Sequence, residues 1–231
     1  MITIPNKLNK MVDLTLLKPT TTREELTTFL DSAIEYNPMS VCINPLWIPF
    51  ARGTLKKTDI KTCTVIGFPL GANTLTSKIN ETIDAVENGA DEIDYVINIS
   101  DVKSGYWAMI KTEMNEIVIA AKTTVKVILE TCYLTTEEIV KVCEIAKTTG
   151  IDFVKTSTGF GTGGATVANV RIMAESFGGD VKASGGIRDT ETAIEMIKAG
   201  ATRLGTSAKL GEEKTDYSNC KWVNKGESEG Y

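Results

Sequence analysis

The stretch IDFVKTSTG (151–159), read with VKASGGI (181–187), decides the fold. Phe153 and Val154 favour extended backbone, and Thr156, Ser157 and Thr158 lead into a glycine turn. The second stretch repeats the arrangement, with Lys182 followed by small residues and Gly185-Gly186. Residues 167–177 between them read as a helix. Strand, helix and strand in this order predict parallel strands joined by a helical crossover. A lysine on a short buried strand is costly unless paired or neutral, so a single one reads as a side chain snorkelling to solvent. Lys155 and Lys182 on neighbouring strands would instead form a chemical device.

The same alternation runs through the rest of the chain. A short helical start (5–11) leads into a weak strand (12–19) stopped by Pro19. Thr21 and Glu24 predict a capping box opening an amphipathic helix to Tyr36, with Leu26, Phe29, Leu30 and Ala33 on one face. Further strands are predicted at 40–44, 61–68, 92–97, 125–130 and 203–207. Helices are predicted from Pro45, at 76–88 and 105–122, from Thr135 to about 148, and at 189–199. Gly89, Gly150 and Gly200 mark helix ends. Eight strands without a linker or a composition break predict an α/β fold, a single (β/α)8 TIM barrel over residues 1–224. The eighth helix (208–222) is poorly marked, and residues 225–231 read as a mobile tail.

Composition narrows the chemistry. The 231 residues carry 25 basic and 30 acidic side chains, a net charge of −5, which argues against a nucleic-acid surface. Five cysteines (42, 63, 132, 143 and 220), with no Cys-x-x-Cys pair, read as reduced thiols in a cytoplasmic protein. Neither a secretion signal nor a membrane span is predicted. The chain has no histidine, which removes imidazole-dependent triads and histidine-ligated zinc sites. Acid–base work therefore falls to Asp, Glu, Lys or Tyr.

Side chains alternate across a strand, and the outward faces of barrel strands lie under helices. In 92–97, Ile93, Tyr95 and Ile97 share one face while Glu92 and Asp94 take the other. In 125–130, Lys126 and Glu130 oppose Val125, Val127 and Leu129. Val154, Val181 and Ala183 point outward, leaving Lys155 and Lys182 inside. Glu92, Lys126 and Glu130 have a salt-bridged filling of the lumen as their alternative reading. Lys155 and Lys182 run straight into glycine loops at the carboxyl ends of their strands, where active sites of this fold lie. Two ammonium groups about 4–5 Å apart repel by about 3–4 kcal/mol at an effective dielectric near 20, enough to lower one pKa by about 2.5–3 units. An amine activated by a neighbouring cation suits Schiff-base chemistry.

Residues 159–164 (GFGTGG) match the dinucleotide fingerprint G-x-G-x-x-G, but they lie far from the first strand–helix unit, where that fingerprint belongs. A phosphate cradle of backbone N–H groups from Gly159, Gly185, Gly186, Gly205 and Ser207 fits the last strand ends better.

DLTLLKP (13–19), SVCINP (40–45), TVIGFPLG (64–71), GADEIDYVIN (89–98), VKVILET (125–131), DFVKTSTGF (152–160), VKASGGIRD (181–189) and RLGTS (203–207) occur in this order. With them the chain resembles the deoxyribose-phosphate aldolases along nearly its whole length. The resemblance implies a metal-free class I aldolase without a cofactor. Such an enzyme interconverts 2-deoxyribose 5-phosphate with acetaldehyde and glyceraldehyde 3-phosphate. It implies that Lys155 forms the Schiff base, that Lys182 lowers its pKa, and that Asp94 moves protons with Lys182 and a water. Asp13, Thr15, Cys42 and Thr158 lie in matching segments and are expected to line the pocket, with Cys42 a point of aldehyde damage. Tyr231, the last residue, matches a terminal tyrosine that aids proton transfer in some relatives. Many relatives read Asp-His-Thr where this chain has Asp13-Leu14-Thr15, and Ala208 stands where a second serine is common. The expected partner is a phosphorylated sugar, with no nucleic acid or membrane, and a homo-oligomer is compatible with the sequence. The competing readings are a nicotinamide-dependent oxidoreductase using Gly159–Gly164 and a non-catalytic sugar-phosphate-binding barrel.

Overall fold

In the computed structural model, which describes residues 8–211, eight parallel strands close into a barrel in sequence order, β1 pairing with β8. The strands are β1 (Val12–Leu16), β2 (Ser40–Ile43), β3 (Lys61–Ile66), β4 (Glu92–Val96), β5 (Thr124–Ile128), β6 (Phe153–Lys155), β7 (Asp180–Ser184) and β8 (Arg203–Thr206). The helices are α1 (Arg23–Tyr36), α2 (Ile48–Leu55), α3 (Leu75–Glu87), α4 (Ile99–Lys103), α5 (Trp107–Ala121), α6 (Thr136–Ala146), α7 (Val167–Phe177) and α8 (Thr190–Lys198). A 3-10 turn, Leu8–Met11, precedes β1. Of the expected eighth crossover helix (208–222), residues 208–211 are turn and irregular backbone, and the rest, with the tail, falls outside the described residues. No described helix is long and apolar enough to cross a membrane.

Local chemistry sets the element ends. The capping box of α1 is made by Thr22 and Glu25, one residue later than the Thr21–Glu24 pair predicted. The Thr21 hydroxyl is already spent on the Lys18 carbonyl at 2.9 Å, in the turn that follows Pro19. The predicted box on α6 forms as expected, Thr135 accepting from the Glu138 amide at 3.3 Å while Glu138 accepts from the Thr135 amide at 2.7 Å. The helix expected over 105–122 forms as α5, and a short helix that the sequence did not suggest, α4, precedes it. Asn98 caps a short α4, and Gly105, at φ 69°, separates it from α5.

Outward strand residues Leu14, Val41, Ile93, Tyr95, Val127, Val154, Val181 and Leu204 pack under the helices in one apolar layer. Leu14 belongs to that layer, so the residue type at this position bears on helix packing and not on the lumen. The lumen holds charge where barrels of this kind usually hold branched aliphatics. Lys126 Nζ lies 2.6 Å from Glu92 Oε2, and Arg203 Nη1 lies 2.7 Å from Asp13 Oδ1 and 3.1 Å from Glu92 Oε2. Phe153 stacks beneath the Arg203 guanidinium, 5.1 Å from ring centroid to Cζ. Glu92 and Lys126 thus join a salt-bridged layer, as their alternation suggested. Glu130 does not. β5 ends at Ile128, and Glu130 turns away in left-handed backbone at φ 53°.

Ions this deep lose several kcal/mol of hydration each and are held only by mutual pairing. Burial pushes the Asp13 carboxyl up, but Lys182, Lys126 and Arg203 outweigh it and hold Asp13 well below the usual carboxylate range. Glu92 is likewise lowered, burial being overcome by Lys126 and Arg203. With folded values below unfolded ones, the unfolded chain binds protons first as pH falls. This contribution to stability is therefore complete above the unfolded carboxylate range and lost progressively below it, as pH falls through the folded values. The urea midpoint should be flat above about pH 5 and fall steadily below about pH 4, and Glu92→Gln should lower the plateau and flatten the acid limb. An acid limb of unchanged slope in Glu92→Gln would refute this account. Separately, Thr135→Ala should cost about 1 kcal/mol, or about 2–4 °C in Tm, by calorimetry.

Two lysines and a shared carboxylate at the candidate active site

Lys155 is the last residue of β6 and pairs in register with Lys182 of β7. Equal strand positions on adjacent parallel strands aim both side chains into the lumen. Both Nζ atoms lie 2.7 Å from one oxygen, Oδ2 of Asp94 on β4. The other oxygen, Oδ1, takes Lys126 at 2.9 Å and accepts from Cys63 Sγ at 3.2 Å. Lys182 also lies 2.5 Å from Asp13 Oδ2.

The expected face-to-face repulsion of two bare ammonium groups is thus modified by a carboxylate placed between them. Burial works against the charge on Lys182, but Asp13 and Asp94 outweigh it and raise its pKa far above the ordinary lysine value. Lys182 is therefore a fixed cation. Burial also opposes charge on Asp94, and Lys126, Lys155 and Lys182 overcome it, keeping Asp94 ionised. The enclosed layer sets four cationic side chains (Lys126, Lys155, Lys182 and Arg203) against three carboxylates (Asp13, Glu92 and Asp94). Of the three lysines, only Lys155 has any side-chain exposure, 4% against none for Lys126 and Lys182. A carbonyl compound arriving at the mouth meets Lys155 first.

The other predicted residues divide into those at the mouth and those already engaged within the wall. Asp13 is fully buried between Lys182 and Arg203, and the half-buried Thr15 donates its hydroxyl to the Asp13 carbonyl at 3.0 Å. Cys42 is buried beside Cys63. Thr158 is tied to Glu130, whose carboxylate accepts from both its amide and its hydroxyl, the amide at 3.3 Å. The Thr158 oxygen in turn accepts from the Phe160 amide at 3.0 Å. Glu130, expected among the lumen charges, therefore shapes the loop after β6. Phe160 stands edge-on to Phe68, their centroids 5.3 Å apart, beside a shallow concavity lined by Leu70, Ile99, Tyr133 and Thr158.

The glycine loops come together at the same end. Gly159, Gly185 and Gly186 have φ of 86°, 88° and 81°, which only glycine adopts without strain. The Ala165 amide donates to the Gly185 carbonyl at 3.0 Å, and a Cβ on Gly164 would lie 2.2 Å from that oxygen. Gly164 serves this contact, while a Cβ on Gly161 or Gly163 would press on Cys132. A closed barrel also lacks the open-sheet crevice on which a dinucleotide lies. Gly205 lies within β8, where a side chain would collide with Ser184 Cβ at 2.8 Å and Lys182 Cε at 3.1 Å. Ser207 is exposed just beyond. Tyr231 falls outside the described residues. Arg203 and Cys63 were not singled out in the sequence, although the alternation that exposed Lys155 places both inward when applied to RLGTS and KTCTVI.

Residues 8–211 match the family described as DeoC/LacD family aldolase. A protein of Caldanaerobacter subterraneus subsp. tengcongensis named deoxyribose-phosphate aldolase is 56% identical over 214 residues, covering 88% of this chain and 92% of that one. One of Enterococcus faecalis with the same name is 54% identical, covering 87% and 93%. The deoxyribose phosphate aldolase of Aeropyrum pernix, solved as a tetramer, superposes with a TM-score of 0.82 at 34% identity, covering 87% of each chain. The family match and relatives at 54% and 56% identity over most of their length show that the chain belongs to the DeoC/LacD aldolase family.

Proposed function

We propose that this protein reversibly cleaves 2-deoxyribose 5-phosphate to acetaldehyde and glyceraldehyde 3-phosphate through a Schiff base on Lys155. The observation that carries this reading is the single Asp94 oxygen 2.7 Å from both Lys155 and Lys182 inside a closed barrel. An attacking amine must be uncharged. Of the three lumen lysines, Lys155 is the one whose side chain reaches the opening. Attack of Nζ on the sugar's C1 carbonyl and loss of water give an iminium ion. Removal of the C3 hydroxyl proton then breaks the C2–C3 bond, releasing glyceraldehyde 3-phosphate and leaving an enamine on Lys155. Protonation of that enamine and hydrolysis free acetaldehyde. Asp94, Lys182 and a water carry the protons, the fixed charge on Lys182 opposing a second positive charge on its neighbour.

The phosphate is held by backbone N–H groups of the loops carrying Gly159, Gly185, Gly186, Gly205 and Ser207. Such loops are the usual phosphate site of barrels of this type. The names of the relatives support the substrate.

Incubation with acetaldehyde and borohydride should add a two-carbon mass to the peptide bearing Lys155. A folded protein whose Lys155 stays unmodified would overturn the assignment. Lys182→Leu, with folding checked by circular dichroism, should lose about 3–5 kcal/mol of stability because two buried carboxylates lose their cation. Its kcat should fall by about 100-fold or more, and a near-normal kcat would remove Lys182 from the mechanism.

A further inference from the structure

Cys42 and Cys63 are register partners on the adjacent strands β2 and β3, and both are fully buried. Their side chains enter the lumen beside Asp94. The two Sγ atoms and a carboxylate oxygen of Asp94 all lie within 4.8 Å of one another, and Cys63 Sγ is 3.2 Å from Asp94 Oδ1. A four-coordinate ion with bonds of about 2.3 Å to sulfur and about 2.0 Å to oxygen needs its ligand atoms about 3.5–3.8 Å apart. The cluster is close to that spacing before any side chain moves. Leu17, Val65 and Phe68 pack in one apolar cluster with the two cysteines.

We propose that Cys42, Cys63 and Asp94 form a seat for one thiophilic divalent metal ion inside the barrel, and that the ion competes with the lysines for Asp94. Thiolates select soft and borderline ions such as Zn2+ and Cd2+, and the chain has no histidine to divert them. Charge balance permits the exchange. Two thiol protons leave as one doubly charged ion enters, so the layer keeps its net charge. Lys126, now 2.9 Å from Asp94 Oδ1 and 3.4 Å from Cys63 Sγ, keeps Glu92 at 2.6 Å when Asp94 turns to the ion. Lys155 has its ion pair with Asp94, so an occupied seat loosens the amine and blocks Schiff-base formation. That consequence rests on the aldolase reading. The seat itself does not.

Cd2+ is the probe, titrated into the full reduced chain and into Cys63→Ala. The wild type should develop a thiolate-to-cadmium charge-transfer band saturating at one ion per chain, with release of about two protons. Borohydride trapping of acetaldehyde should fall to background at the same equivalence. Cys63→Ala should lose that band and trap acetaldehyde equally with and without Cd2+. Absence of the band in the wild type, its persistence in Cys63→Ala, or full trapping in the metal-loaded wild type would overturn the proposal. The band is read without substrate, so a protein that never traps acetaldehyde would sink the aldolase reading while the absorbance still decides the seat.

Discussion

One carboxylate oxygen, Oδ2 of Asp94, holds two lysine nitrogens at 2.7 Å, and the interior of the barrel is arranged around that contact. Asp94 stays ionised at this depth because Lys126 takes its other oxygen and joins Lys155 and Lys182 in offsetting burial. Lys126 in turn needs Glu92, and Glu92 shares Arg203 with Asp13, which returns to Lys182. The ring closes on itself across five of the eight strands, with Lys155 of β6 attached at Asp94. Each member is tolerable only with its neighbours in place, because an unpaired ion at this depth costs far more than a paired one. Stability comes from the apolar layer between strands and helices, and the lumen is a polar inclusion that this layer can carry.

The two lysines are chemically unequal despite equal strand positions. Lys182 sits between two carboxylates and keeps its charge, while Lys155 has one of them, shared, and the outlet. A symmetric pair would leave open which amine reacts. Geometry removes the symmetry, and in the proposed reaction it assigns the fixed charge to one residue and the nucleophile to the other.

Much of this was legible in the sequence because strands alternate. Period-two alternation placed Asp94, Lys155 and Lys182 on inward faces, and eight strand–helix units implied closure. What alternation could not supply was the shared carboxylate. The offset that brings β4 opposite β6 and β7 across the lumen is a property of the closed barrel, not of any one strand. Glu130 was misplaced for a local reason, since its left-handed backbone ends the alternation two residues after β5. The α1 cap slipped by one residue because two T-x-x-E pairs overlap in TTREE, and only the Thr21 bond to Lys18, a turn away, separates them. Arg203 went unnoticed because its partners, Asp13 and Glu92, are 190 and 111 residues away in the chain.

The backbone contact between Gly164 and Gly185 has a bearing on how such barrels diversify. Barrels are often said to change specificity one loop at a time, as though each loop were an independent module. Here the loop after β6 rests directly on the loop after β7, with no side chain between them to resize. A graft that lengthens or re-aims either loop must carry the other with it, so inheritance at this corner of the mouth is by pairs.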